Sequence, residues 1–347
     1  MEKIPGTSRT SNSSETDIQV GVGTYRPLTN EFLKFSKQLG VNDVLLTPHP
    51  HNEFESVIPL GETWTTERLQ NLYDRISGSD LRLHAIEKMP VPLYEVLLDD
   101  YDKKIKIIKN TIANMGKVGI PILGYSGHPP WGAVRTNKEH NVRGSAKVSA
   151  YSEDDLETRD IDKIYRNVSR DHLWGKYEEF LSDVIPVAEK AGVILAVHPS
   201  DPPVPEINGL PMLFHSRKNF ERALKVVPSE NHGLKLCLGC WSEMGENIPE
   251  VIRQFGSNNI IYIHFRDVVG TVPDFHETFI DDDKSNFDEM EVMESLYNIG
   301  FEGVITPDHV PIMEHDTEWG FVSPQGQSFS IGYLRGLTTC LNHHKQH

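Results

Sequence analysis

The sequence predicts an α/β fold, a single (β/α)8 TIM barrel, and three observations carry that prediction. Short, nearly continuous apolar runs rich in β-branched residues recur eight times along the 347 residues. Amphipathic stretches of helical period lie between them, and glycine recurs where such a stretch should end before the next run. Strict alternation of this kind closes most readily into a parallel barrel, because parallel crossovers are right-handed.

The first run, IQVGVGTY (18–25), leads into a helix at 28–39 that Gly40 ends. DVLLTPHP (43–50) precedes a helix at 65–77, and LRLHAIEKM (81–89) precedes one at 101–116. In that third helix Ile105, Ile108, Ile112 and Met115 share one face, with lysines opposite and Gly119 beyond. IPILGYSGH (120–128) is followed, after a long connection, by a helix at 172–191 closed by Gly192. VILAVHPSD (193–201) and LKLCLGC (234–240) precede helices at 216–227 and 247–255, the latter closed by Gly256. IIYIHFRDV (260–268) leads to a helix at 288–299 before Gly300, and GVITPDHVP (303–311) to a last helix at 329–342. A doubly wound open sheet is the main competitor, yet no G-x-G-x-x-G follows the first strand. The connections at 129–171 and 269–287 are long and follow the fourth and seventh strands, so both emerge at the C-terminal face, where barrel enzymes build their sites. Residues 1–17 read as a mobile Ser/Thr-rich tail, and 18–347 as the barrel catalytic domain.

Composition narrows the function. A hydrophobic content of 38% with 24% charged residues suits a soluble globular chain, and no apolar run approaches a membrane span. The formal net charge of −16 argues against nucleic acid as a partner, while a metal and a few arginines can still admit a small anion. The three cysteines, Cys237, Cys240 and Cys340, are too few and too oddly placed for a disulfide framework. A reducing cytoplasm is the expected location, and a homodimer or higher homo-oligomer the expected assembly.

Chemistry concentrates at the ends of the last four strands. Each is an apolar run interrupted late by one side chain able to bind a metal: His198 in ILAVHP, Cys237 in LKLCLG, His264 in IYIHFR and Asp308 in VITPDH. Adjacent strand ends converge in a closed barrel, and two imidazoles, a thiolate and a carboxylate make a mixed soft and hard cation site. Taken singly, a buried histidine or cysteine at such a place is more often a packing residue. It is the ordered set on consecutive strands that points to a metal. Cys240 lacks a second C-x-x-C partner pair and reads as packing. Arg266, two residues after His264, either grips a substrate carboxylate or pairs with a neighbouring strand end. His309 can serve as a general acid or base, although strict alternation aims it away from Asp308. Asp201 either takes part in binding or opens a turn, and His49, His51, His84, Glu87, Tyr125 and His128 lie where a substrate pocket would be lined.

The segments AVHPSDPP…LPMLFHS, LCLGCWSEMGEN, QFG…IIYIHFRDV, FHETF, PDHVP and IGYLRGL occur in this order and resemble the blocks of the mannonate dehydratase family. GYSGHPPWGAVRT…RGSA and the WT at 64–65 fit more loosely. The resemblance implies a xylose-isomerase-like TIM barrel in hexuronate catabolism, a lyase that removes water from D-mannonate to give 2-keto-3-deoxy-D-gluconate. It implies a divalent metal, typically Mn2+ with Fe2+, Co2+ or Zn2+ compatible, held by His198, Cys237, His264 and Asp308. It also implies that His309 transfers a proton. The chain departs from the family pattern twice: Thr306 stands where R-P-D-H would place an arginine, and Ser328, beside Phe329, where a tyrosine precedes I-G-x-L. Tyr333 lies in a helical position that suits packing. Two other readings remain at this stage, a metal-dependent sugar isomerase or epimerase on the same barrel, and a non-catalytic sugar-acid binding protein.

Overall fold

Eight parallel strands close on themselves in the computed structural model, which describes residues 18–24, 28–48, 58–316 and 322–346. The 1–17 tail, His49 and His51 lie outside the described residues. In chain order the strands are β1 (Gln19–Thr24), β2 (Asp43–Leu46), β3 (Arg82–Ile86), β4 (Ile122–Ser126), β5 (Asn137–Asn141), β6 (Lys147–Ser152) and β7 (Ile194–His198). They continue as β8 (Glu206–Ile207), β9 (Leu210–Pro211), β10 (His232–Cys237), β11 (Ile260–His264), β12 (Val268–Thr271), β13 (Asp274–Glu277) and β14 (Val304–Thr306). The barrel runs β1-β2-β3-β4-β7-β10-β11-β14 and returns to β1, the strand order that the sequence predicts.

The helices are α1 (Asn30–Gln38), α2 (Thr66–Ser77), α3 (Leu93–Leu98), α4 (Tyr101–Val118), α5 (Arg170–Ala191), α6 (Arg217–Val226), α7 (Leu238–Glu243), α8 (Ile248–Asn259), α9 (Glu289–Asn298) and α10 (Pro324–Gln346). Local chemistry starts them: Thr29, Thr65, Ser169, Asn247 and Asp288 each accept the backbone N–H three residues on. The glycines expected at helix ends adopt positive φ, 86° at Gly119 and 67° at Gly192, where the left-handed turn releases the chain into the next strand.

The barrel strands after β1 all stop earlier than the runs read from the sequence. β2 ends at Leu46, and β14 ends at Thr306 because Pro307 has no N–H for the ladder. β10 ends at Cys237 because LGCWSE turns at once into α7, so residues 238–240 are helix rather than strand.

Neither long connection is wholly irregular. Residues after β4 form the hairpin β5–β6, residues after β11 form β12–β13, and the two hairpins join as one antiparallel sheet in the order β12-β13-β6-β5. Phe275 pairs with Tyr151 in register, their rings 5.7 Å apart, so the two insertions share a small apolar seam.

Inside the barrel, Leu45, Ala85, Ile122, Ala196, Tyr262 and Val304 form a separate apolar plug. Side chains alternate along a strand, so the residue two places on from each faces the same interior. Glu87, His198 and His264 therefore stand one tier above Ala85, Ala196 and Tyr262. Outside the strands, one continuous apolar layer packs them against the helices. Among the described residues no helix is long and apolar enough to cross a membrane.

The outer layer is tightest where α4 meets α5. A Cβ on Gly116 would lie 2.3 Å from the Ala191 carbonyl oxygen and 2.8 Å from its Cβ. Gly116→Ala should therefore lower stability by about 1–2 kcal/mol net, the clash exceeding the helix-propensity gain of roughly 1 kcal/mol. Urea unfolding checks this, and a variant as stable as the parent would show that the helices do not touch backbone to backbone.

Candidate active site

Four strand ends meet over the plug. His198 closes β7, Cys237 closes β10, His264 closes β11, and Asp308 follows β14 by two residues. One ligand atom from each lies within 4.8 Å of all the others, and all four side chains are buried. The His198 ring donates Nδ1–H to the Pro199 carbonyl at 2.8 Å, which directs Nε2 to the cluster. Cys237 Sγ lies 3.9 Å from Asp308 Oδ2.

His264 is held from below. Its Nε2–H donates to Glu87 Oε1 at 2.6 Å, while Nδ1 sits 3.3 Å from Asp308 Oδ2 and makes no hydrogen bond. Glu87 also accepts from Thr47 Oγ1 at 2.5 Å and pairs with the buried Lys235 at 3.0 Å. Burial disfavours charge on His264, but the Asp308 and Glu87 carboxylates outweigh it and push its pKa up to about 10. Burial likewise opposes a Cys237 thiolate, yet hydrogen bonding from Cys240 and the Arg266 guanidinium hold the thiol well below its usual range.

These residues fit a divalent cation. A thiolate, a carboxylate and two oriented imidazoles converge, and the buried His264 Nδ1, which makes no hydrogen bond, is turned to the Asp308 carboxylate. A carboxylate behind a ligating histidine is the usual support for such a ring.

Beside the cluster lies a dense network of buried ions. Arg266 donates through Nε to Asp308 at 3.1 Å, through one Nη to Glu243 at 2.9 Å and through the other to Asp201 at 3.2 Å. Arg135, from the connection after β4, pairs with both Asp201 oxygens and with Glu277 at 2.9 Å. Glu277, on β13, accepts in turn from His309 Nδ1. His309 thus lies on the cluster's side, its Nε2 3.9 Å from Asp308 Oδ2, because the chain has already left the strand. Asp201, Cys240 and Glu243 form a second group that could hold an ion. The Arg266 guanidinium already reaches all three, so the cation there is the side chain itself.

The residues singled out from sequence therefore divide. His198, Cys237, His264, Asp308, His309, Arg266 and Asp201 come together, and His128 joins them, its ring 5.0 Å from that of His198 and half-buried. Tyr125 does not face the cluster. Its neighbour Gly124 takes the interior position, so Tyr125 turns outward and its hydroxyl meets Tyr177 of α5 at 2.8 Å and His232 at 2.7 Å. His84 also stays away, lower in the barrel, 3.9 Å from Asp43 at the start of β2. Glu87 supports His264 rather than lining a pocket. Thr306 gives its hydroxyl to Gly21 O at 3.3 Å, and Ser328 gives its own to Pro324 O at 2.7 Å. Phe329 meets Phe279 edge-on at 5.9 Å, beneath the Arg143 guanidinium. Arg135, Lys235, Glu243 and Glu277 were not anticipated, although WSEMGEN and FHETF contain two of them.

Comparison with known proteins adds the family. The profile described as D-mannonate dehydratase (UxuA) matches residues 29–164 and 158–347. The chain belongs to the D-mannonate dehydratase family. A mannonate dehydratase of Thermotoga neapolitana is 30% identical over 328 residues, covering 83% of this chain and 89% of that one. One of Streptococcus uberis is 29% identical over 315 residues, covering 81% and 88%. The crystal structure of mannonate dehydratase from Streptococcus suis serotype 2 superposes with a TM-score of 0.84 at 24% identity, covering 94% of this chain and 95% of that one. Membership in the mannonate dehydratase family makes this chain an enzyme of the lyase class.

Asp201 neutralises two buried arginines at once. Removing one member of a buried ion network strands the others, and Asp201→Ala should cost about 3–5 kcal/mol. Denaturant titration measures it; a loss below about 1 kcal/mol would mean that Glu243 and Glu277 suffice to hold both guanidiniums.

Proposed function

We propose that the chain dehydrates D-mannonate to 2-keto-3-deoxy-D-gluconate, with a divalent cation held by His198, Cys237, His264 and Asp308. The observation that carries the reading is the convergence of those four donor atoms within 4.8 Å in a member of this family. The mixed donor set accepts manganese, iron, cobalt or zinc, and manganese is our first choice.

The reaction passes a proton from C2 to solvent and expels the hydroxyl from C3 as water, and the resulting enol relaxes to the 2-ketone by gaining a proton at C3 and releasing one from the C2 hydroxyl. When bound, the cation acts as a Lewis acid that stabilises the charge developing as C2 is deprotonated. His309 serves as the acid at C3. Burial opposes its charged form, but the Glu277 and Asp308 carboxylates raise its pKa and favour the protonated ring. Glu277 fixes the ring through Nδ1, so the proton to be delivered sits on Nε2, the nitrogen nearer Asp308. The departing hydroxyl leaves as water. His128 stays neutral, because burial and the neighbouring His198 hold its pKa well below the usual range. It is thus suited to hydrogen-bonding a substrate hydroxyl rather than attracting an anion. Arg266, committed to Asp308, Glu243 and Asp201, orients a metal ligand instead of gripping substrate.

Purified protein with Mn2+ should convert D-mannonate into a 2-keto acid lighter by one water. A product of unchanged mass would establish an isomerase or epimerase instead, and no product from any aldonate would leave only a binding role. Dialysis against a chelator should abolish turnover and Mn2+ restore it. Cys237→Ala and His264→Ala should lose the bound metal by elemental analysis, whereas His309→Gln should keep it. For His309→Gln, kcat should fall by about 10²–10⁴ with little change in KM. Equal metal content in all three variants would remove the assigned ligand set.

A further inference from the structure

The cations around the cluster differ in whether they already have an anion. Arg266 is shared among three carboxylates, Arg135 between Asp201 and Glu277, and Lys235 is paired with Glu87. Lys88 is different. It follows Glu87 directly, beyond the C-terminal end of β3, where the last ladder hydrogen bond runs from Glu87 N to Leu46 O at 2.7 Å. Its side chain is half-buried, and its ammonium makes no hydrogen bond or ion pair with any described residue. Its charge is nevertheless felt at Glu87, Asp308 and His128. By position it lies at the C-terminal end of the barrel, the end at which His198, Cys237 and His264 close their strands.

We propose that Lys88 is the residue that selects an acid over a neutral sugar at this site, its ammonium pairing with the carboxylate of the substrate. The inference rests on the sugar-acid reading above and deepens it. A half-buried ammonium without a counter-ion is unfavourable by itself, and a bound anion removes that cost. Burial and the nearby Lys235 lower the Lys88 pKa against the opposing pull of the Glu87 and Asp308 carboxylates, as fits a cation held in a dry setting. Lysine suits the task as a mobile point charge, able to follow one end of a flexible aldonate. Arg266, by contrast, is already shared among carboxylates, which both Nη groups and Nε face.

Calorimetry with Mn2+-loaded protein tests this, using D-mannonate and its neutral counterpart D-mannitol. All samples carry His309→Gln so that no substrate is consumed. The parent should bind mannonate more tightly than mannitol. Lys88→Gln should weaken mannonate by about 10- to 100-fold, as expected for losing one charge-assisted contact, and leave mannitol unchanged. Lys88→Arg should recover most of the difference. Melting temperatures of both variants identify misfolding, and if Lys88→Gln fails to fold, the comparison of Lys88→Arg with Lys88→Met decides. Three results would overturn the assignment: no preference for mannonate in the parent, a preference that survives in Lys88→Gln, or equal weakening of both ligands. Turnover by the protein with His309 intact is followed alongside. Tight, Lys88-dependent binding without dehydration would reject the reaction and leave the role of Lys88 standing.

Discussion

Glu87 is the buried anion on which the centre of the barrel depends. A carboxylate at that depth is tolerated only when its oxygens are fully engaged, and Thr47, Lys235 and His264 together engage them. Burial favours the neutral acid, yet Lys235 and His264 overcome it and hold Glu87 ionised, well below the usual range. The consequence reaches upward. Because Nε2 of His264 must keep its proton to satisfy Glu87, Nδ1 is the nitrogen turned to Cys237 and Asp308. The tier beneath the cluster thus dictates which face of the ring is available above it.

A second network fixes the other flank. Arg266 and Arg135 bind Asp201 from two sides, Arg266 binds Asp308, and Glu277 ties Arg135 to His309. Nearly every group is buried and ionisable, so the lattice is stable only as a whole. Such an arrangement contributes geometry more than stability. Asp308 and His309 are adjacent in sequence, yet one faces His264 and Cys237 and the other a separate carboxylate, because Arg266 holds the first and Glu277 the second.

The barrel and the four converging donors were legible because their signals are local. Apolar runs, helical period and terminal glycines lie within a dozen residues of one another, and a polar residue ending an apolar run is visible in one dimension. Side-chain parity was not. Tyr125 and His128 sit three residues apart on the same strand end, and only knowing that Gly124 faces inward separates the one that packs under α5 from the one that reaches His198. His84 was misplaced for a related reason: the register shifts between Val44 and Leu45, which alters what β3 presents to the interior. Arg135 and Glu277 were beyond reach altogether, since their contact joins segments 142 residues apart.

The shared sheet of the two insertions has a consequence for how such a protein can change over generations. β6 and β13 hydrogen-bond to each other, and the arginine carried by one insertion answers the glutamate carried by the other. Neither insertion can be shortened, exchanged or grafted without exposing the raw edge of its neighbour and orphaning a charge beside the buried cluster. The barrel beneath can drift one strand at a time, but the two insertions travel as a single heritable module, and a chimaera that respects this would transplant both hairpins together.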